Sequence, residues 1–133
     1  MPSTRRHQSS EEVAALMEDW PKSWAGTRED TPVGRRLVAV LQLFMAHPQQ
    51  QELAPSTRRR HLDNLWLIGG EIIRRVNDEP ALRKQPARAL LLDAVLGGEP
   101  LLLHDTEEQQ RAVDATARKL LKFLSAPNRR PGT

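Results

Sequence analysis

The feature that most constrains this chain is the spacing of apolar residues after Pro55. Leu62, Leu65, Trp66, Gly69, Ile72, Ile73 and Val76 hold one face of a helix for about four turns. Pro55-Ser56-Thr57 ahead of them is a helix start, with proline where a missing N–H costs nothing. Gly69-Gly70 falls inside the stripe. Each interior glycine costs a helix about 1 kcal/mol relative to alanine. The pair is tolerated where another helix packs closely against it; a kink or a break is the alternative. Trp66, on the stripe, is expected in the core.

Other segments carry the same period. Ser9 opens a capping box with Glu12, and Val13, Leu16, Met17 and Trp20 follow as one stripe that Pro21 should end. Residues 21–30 then read as a linker, with Trp24 packed over the helices. Thr31-Pro32 starts a helix with Val33, Leu37, Val40, Leu41 and Phe44 inward, ending near His47-Pro48; the glutamines beyond could carry one more turn. Pro80 and Pro86 bracket about one helical turn in a polar stretch. Ala87–Leu96 is a short helix stopped by Gly97-Gly98, and Leu101–Leu103 is too short to classify. Asp105 and Thr106 cap a last helix with Val113, Ala117, Leu120, Leu121 and Leu124 inward; Arg118, Lys119 and Lys122 suit its C-terminal dipole. Five helical segments and no alternating strand make the class all-α, a compact bundle. Residues 1–8 read as a flexible basic arm, 9–124 as a single helical domain and 125–133 as a tail.

With 133 residues, one domain able to bury a useful core is expected. Cysteine and tyrosine are absent, which excludes disulfides, thiolate chemistry, sulfur-ligated zinc and any tyrosine nucleophile. No apolar run reaches the roughly 18 residues of a membrane span, and Met1–Ser10 is polar where a signal peptide is apolar, so a cytoplasmic protein is expected. His7, His47, His61 and His104 match no metal spacing, no cofactor motif occurs, and no serine lies in a GxSxG elbow. The expectation is a protein that is not an enzyme, without metal or cofactor.

The net charge of +3 says little about partners, but its distribution says more. Arg5-Arg6, Arg35-Arg36, Arg58-Arg59-Arg60, Arg74-Arg75, Arg83-Lys84 and Arg129-Arg130 are paired or tripled. The triple at residues 58–60 sits in a first helical turn, where the dipole disfavours cations by roughly 0.3–1 kcal/mol each. A phosphate at that helix start would offset the cost, since backbone donors and guanidinium groups both face it. A solvated run paired with Glu52 or Asp63 is the other reading. Arg83-Lys84 could extend a basic surface and Arg5-Arg6 could lie along a phosphate backbone, whereas Arg74-Arg75 suits the end of its own helix.

The stretch Leu43–Ile73 resembles the SAM-like core-binding domain of tyrosine recombinases (phage integrases). In that family an amphipathic helix leads into a Leu-Ser-x-x-Thr turn, and a second helix follows with an aromatic four residues after the threonine. Here Leu53-Ala54-Pro55-Ser56-Thr57 occupies the turn, His61 stands at the aromatic position, and Leu65 and Ile68 continue the pattern. The resemblance covers about a quarter of the chain. It implies a SAM-like helical bundle that clamps duplex DNA through its backbone, with Ser56, Thr57, Arg58, Arg59 and Arg60 contacting phosphates. The family's catalytic tyrosine has no counterpart here, so the resemblance implies a stand-alone DNA-binding relative, such as an accessory protein of a mobile element. From a different class, a protein-interaction module or homodimer would use an apolar strip around Trp20, Trp24 and Leu101–Leu103. No small-molecule substrate is evident.

Overall fold

A computed structural model of the protein describes residues 10–96 and 106–126, and every regular element in them is helical. The order is α1 (Ser10–Met17), α2 (Trp20–Trp24), α3 (Asp30–Ala46), α4 (Pro48–Gln51), α5 (Pro55–Asp78), a 3-10 turn (Pro80–Lys84), α6 (Ala87–Leu96) and α7 (Glu107–Ser125). The five segments expected from periodicity are the five α-helices of eight residues or more. No described helix is long and apolar enough to cross a membrane. The arm at residues 1–8, the Ser9 cap, Leu101–Leu103 and most of the tail lie outside the described residues.

Helix α5 is the axis of the bundle. It packs against α3, α7, α6 and α2, while α1 and α2 cover α3 and α6 bridges α3 to α7. Leu37, Leu41 and Phe44 of α3, Leu65, Ile68, Ile72 and Ile73 of α5, Leu91 of α6 and Leu120 of α7 form the centre of one core. Each sits at the i, i+3, i+4 spacing that puts a side chain on the inward face of its helix.

Proline placement differs from expectation at one point. Pro21 does not end a helix running through Trp20; α1 stops at Met17 and Pro21 lies in the first turn of α2. Part of the expected linker is therefore helical, and Pro21 is buried against α3. Its ring lies where a Cβ on Gly34 would come within 3.0 Å of Pro21 Cα and Cβ, so glycine lets the two backbones approach. The start of α3 is also reorganised. The helix begins at Asp30 rather than Thr31, and the Asp30 carboxylate turns back on the preceding loop. Its Oδ2 accepts from the N–H of Gly26 (2.8 Å), the N–H of Thr27 (3.0 Å) and Asn77 Nδ2 (3.1 Å).

Gly69-Gly70 does not break α5, which runs on through the pair, and what packs on it is the indole of Trp24. A Cβ on Gly69 would stand 2.5 Å from Trp24 Cη2, too close for any side chain. Trp24 Nε1 donates to the Trp66 carbonyl (2.9 Å), and Trp66 Nε1 donates to Ser23 Oγ (2.9 Å). The expectation of a core Trp66 is corrected: the side chain is 40% exposed. It lies about 100° round the helix from Leu65, at the edge of the stripe, where an indole serves as a strap over α2.

Candidate nucleic-acid interface

Helix α5 begins without a side-chain cap. Ala54 is its N-cap, Pro55 brings no N–H, and the first bond of the ladder runs from Arg58 N to Ala54 O (3.0 Å). The N–H groups of Ser56 and Thr57 are thus the open donors of this helix end. Ser56 is exposed and Thr57 half-buried.

The arginine triple does not act as a unit. Arg59 and Arg60 are exposed, but Arg58 is only 6% exposed, which removes it from the surface where phosphate contact was expected. The cause is legible in the spacing. Positions 58, 62, 65, 69, 72 and 76 advance by alternating fours and threes, so Arg58 extends the apolar stripe by one turn.

Two other polar residues of the same inward face tie α5 to α7. His61 Nδ1 lies 2.7 Å from Thr116 Oγ1, and Asn64 Nδ2 donates to Thr116 Oγ1 (2.9 Å) and to the Ala112 carbonyl (3.1 Å). A hydroxyl within hydrogen-bond reach of an imidazole has the spacing of a nucleophile and its base. Here Thr116 is fully buried and sealed from any substrate, so the contact holds two helices together. His61 is also buried, and among the described residues its Nε2 has no hydrogen-bond partner. Burial holds the His61 pKa below its ordinary value of 6.5, and the nearby cations Lys119 and Arg60 press it in the same direction.

That network sets the register of an antiparallel pair, with residue 61 beside 116 and residue 64 beside 112. The N-terminal turns of α5 and the C-terminal turns of α7 therefore meet at one end of the bundle. Arg59 and Arg60 come from one helix and Arg118, Lys119 and Lys122 from the other, all exposed. Among the described residues none of these five forms an ion pair. Sequence reasoning passed over Lys119 and Lys122 as partners for the helix dipole. The signal was their position opposite Val113, Leu120 and Leu124, which face the core.

The remaining candidates lie elsewhere. Arg83 is not an extension of this surface: its Nη2 stands 3.6 Å from the buried Asp30 carboxylate, and its carbonyl accepts from Arg36 Nη2 (2.8 Å). Burial alone would raise the Asp30 pKa, but the donors Asn77, Thr27 and Gly26 and the charge of Arg83 hold it below 3.8. Lys84 is exposed beside it. Arg74 is bound by Glu71 (2.6 Å) and Asp78 (3.1 Å), and Arg75 by Glu71 (3.3 Å). Arg5 and Arg6 lie outside the described residues. Trp20 and Trp24 meet at a tilt of 52°, their ring centroids 5.7 Å apart, and pack against the core, so they offer no free strip. Among the described residues no three His, Asp or Glu side chains gather as a metal would require. No protein-family model, curated protein or solved structure matches the chain.

Proposed function

We propose that this protein binds duplex DNA without catalysing a reaction, through the end of the bundle where α5 begins and α7 ends. The observation that carries the proposal is that Arg60 and Lys119 flank the buried His61, that Arg59 and Lys122 lie on the same two helix ends, and that among the described residues no carboxylate forms an ion pair with any of the four. Like charges gathered in this way repel, and a polyanion relieves the repulsion while releasing its own counterions. The open N–H groups of Ser56 and Thr57 add neutral donors of the kind that position a phosphate. In this proposal the likeness to a stand-alone recombinase core-binding domain rests on the Leu53–Thr57 entry into α5, and the two lysines of α7 join the contact set.

Fluorescence anisotropy of a labelled random duplex, titrated at several salt concentrations, tests it. Each phosphate neutralised contributes about −0.9 to the slope of log K against log salt. Replacing Arg59 and Arg60 with alanine should weaken binding and flatten the slope by about 2, and replacing Lys119 and Lys122 should do the same. Binding that is absent at low salt, or a slope unmoved by either pair, rejects the proposal.

One observation favours a second function, self-association or docking to another protein. Leu43 is 65% exposed on α3, beside an apolar groove of about 500 Å³ that Val13 and Met17 of α1 also line. Large exposed apolar patches mark interaction surfaces. Sedimentation equilibrium over a wide concentration range separates the two: a mass that rises with concentration, and falls back in Leu43→Glu, favours self-association.

A further inference from the structure

The outward side of α3 carries an apolar strip with opposite charges at its two ends. Ala39, Leu43 and Ala46 are exposed, Leu43 by 65%, and they border the groove of about 500 Å³ between α3 and α1. A lone exposed leucine is ordinary. This one stands beside the groove, with small side chains four residues before it and three after it on the same side of the helix. The chain before α3 runs antiparallel to it, since Gln42 Nε2 donates to the Ala14 carbonyl (3.0 Å) while Pro21 lies against Gly34. Glu11 therefore borders the groove at the end where Ala46 does. Arg35 stands at the other end, three turns or about 16 Å along α3 from Ala46. Glu11 and Arg35 are exposed, and among the described residues neither forms an ion pair.

We infer that a second copy of this chain docks on this face, in an antiparallel two-fold pair. Leu43 of each copy enters the notch at Ala39 of the other, and Glu11 of each meets Arg35 of the other. The face is complementary to itself. A two-fold axis makes a surface meet its own copy, so each end of the strip faces the opposite end of the other copy. With the axis beside residue 41, residue 39 faces 43, and residue 35 faces 47, where Glu11 flanks the end of α3. The large side chain then finds a small one and each guanidinium finds a carboxylate. A parallel pairing would set Glu11 against Glu11 and Leu43 against Leu43, and like charges across an interface repel. The face is two helices wide and about 16 Å long, smaller than the roughly 800 Å² per partner of a stable interface. A reversible dimer is therefore expected, with a Kd of about 0.1 mM. This pairing rests on the second reading above, whose occupant it names, and is independent of DNA binding because the test contains no nucleic acid.

Sedimentation equilibrium of the full chain, from about 10 μM to about 1 mM at constant ionic strength, tests it. The mass should rise from that of one chain toward that of two. Leu43→Ser should weaken the association at least about tenfold, through loss of the buried side chain on both sides of the axis. Glu11→Arg and Arg35→Glu should each weaken it at least about fivefold, because each sets two like-charged pairs across the axis. An equimolar mixture of those two variants should recover most of the parent's association, since every mixed dimer carries two opposite-charge pairs. All three positions are exposed, and equal helix content by circular dichroism checks that each variant is folded. A chain that stays monomeric to about 1 mM overturns the proposal and leaves the groove to a partner of another sequence. Association that survives Leu43→Ser, or a mixture no more dimeric than its separate components, overturns this pairing while self-association as such stands.

Discussion

A histidine placed between two cations and out of water behaves as a stability sensor. The folded state keeps His61 neutral because the ring is 5% exposed and faces Lys119 on α7 as well as Arg60 on its own helix. Its folded pKa lies below the unfolded value, so its contribution to stability is complete above about pH 6.5 and is lost as pH falls toward the depressed folded value. The urea midpoint should therefore drop between pH 7 and pH 5. His61→Gln, which can still reach Thr116, should show a shallower drop; an equal drop would assign the effect elsewhere. Phosphates laid over Arg60 and Lys119 should raise the His61 pKa, so an NMR titration of its ring protons with and without duplex DNA reports where DNA sits. None of this is visible in the sequence pattern alone. His61 reads there as a boundary residue, because an apolar stripe is found by counting apolar side chains, and Arg58, His61 and Asn64 occupy inward positions with polar ones.

Elements were more legible than their partners. Periodicity located all five long helices because each buries a single stripe, and burial of one face is the physical cause of the period. It could not say what fills the notch at Gly69, since the answer comes from Trp24, far away in the chain. The two glycines consequently respond in opposite ways to the same substitution. Gly70→Ala meets only ordinary contacts, 3.4 Å from Trp24 Cδ1, and gains helix propensity, so it should stabilise by about 0.5–1 kcal/mol. Gly69→Ala gains the same propensity but drives its methyl into the indole, which is held by its bond to the Trp66 carbonyl. Overpacking of this kind costs about 1–3 kcal/mol, which leaves a net loss of up to about 2 kcal/mol after the propensity gain. Urea unfolding of the two variants beside the parent decides it; a stabilised Gly69→Ala would show that α2 is free to move off α5.

Across the whole molecule the charges are sorted by how they are neutralised. At the far end of α5 every arginine named has a carboxylate: Arg74 and Arg75 share Glu71, and Arg83 reaches Asp30. At the near end Arg59, Arg60, Lys119 and Lys122 have none among the described residues. The separation is large, because the nineteen residues from Arg59 to Asp78 span about 28 Å of helix. That exceeds the Debye length of about 8 Å at physiological salt, so the two ends act on a polyanion independently. Paired letters such as Arg83-Lys84 and Arg59-Arg60 look alike in the sequence, and only the fold reveals that one pair stands beside a buried aspartate. Arg83→Ala should then be a stability variant: it removes one partner of a carboxylate that keeps three other donors, at a cost of about 1–2 kcal/mol. Its DNA affinity and salt slope, measured where the variant remains folded, should match the parent. A slope flattened by about 1 in Arg83→Ala would place a phosphate at the far end and extend the interface along the full length of α5.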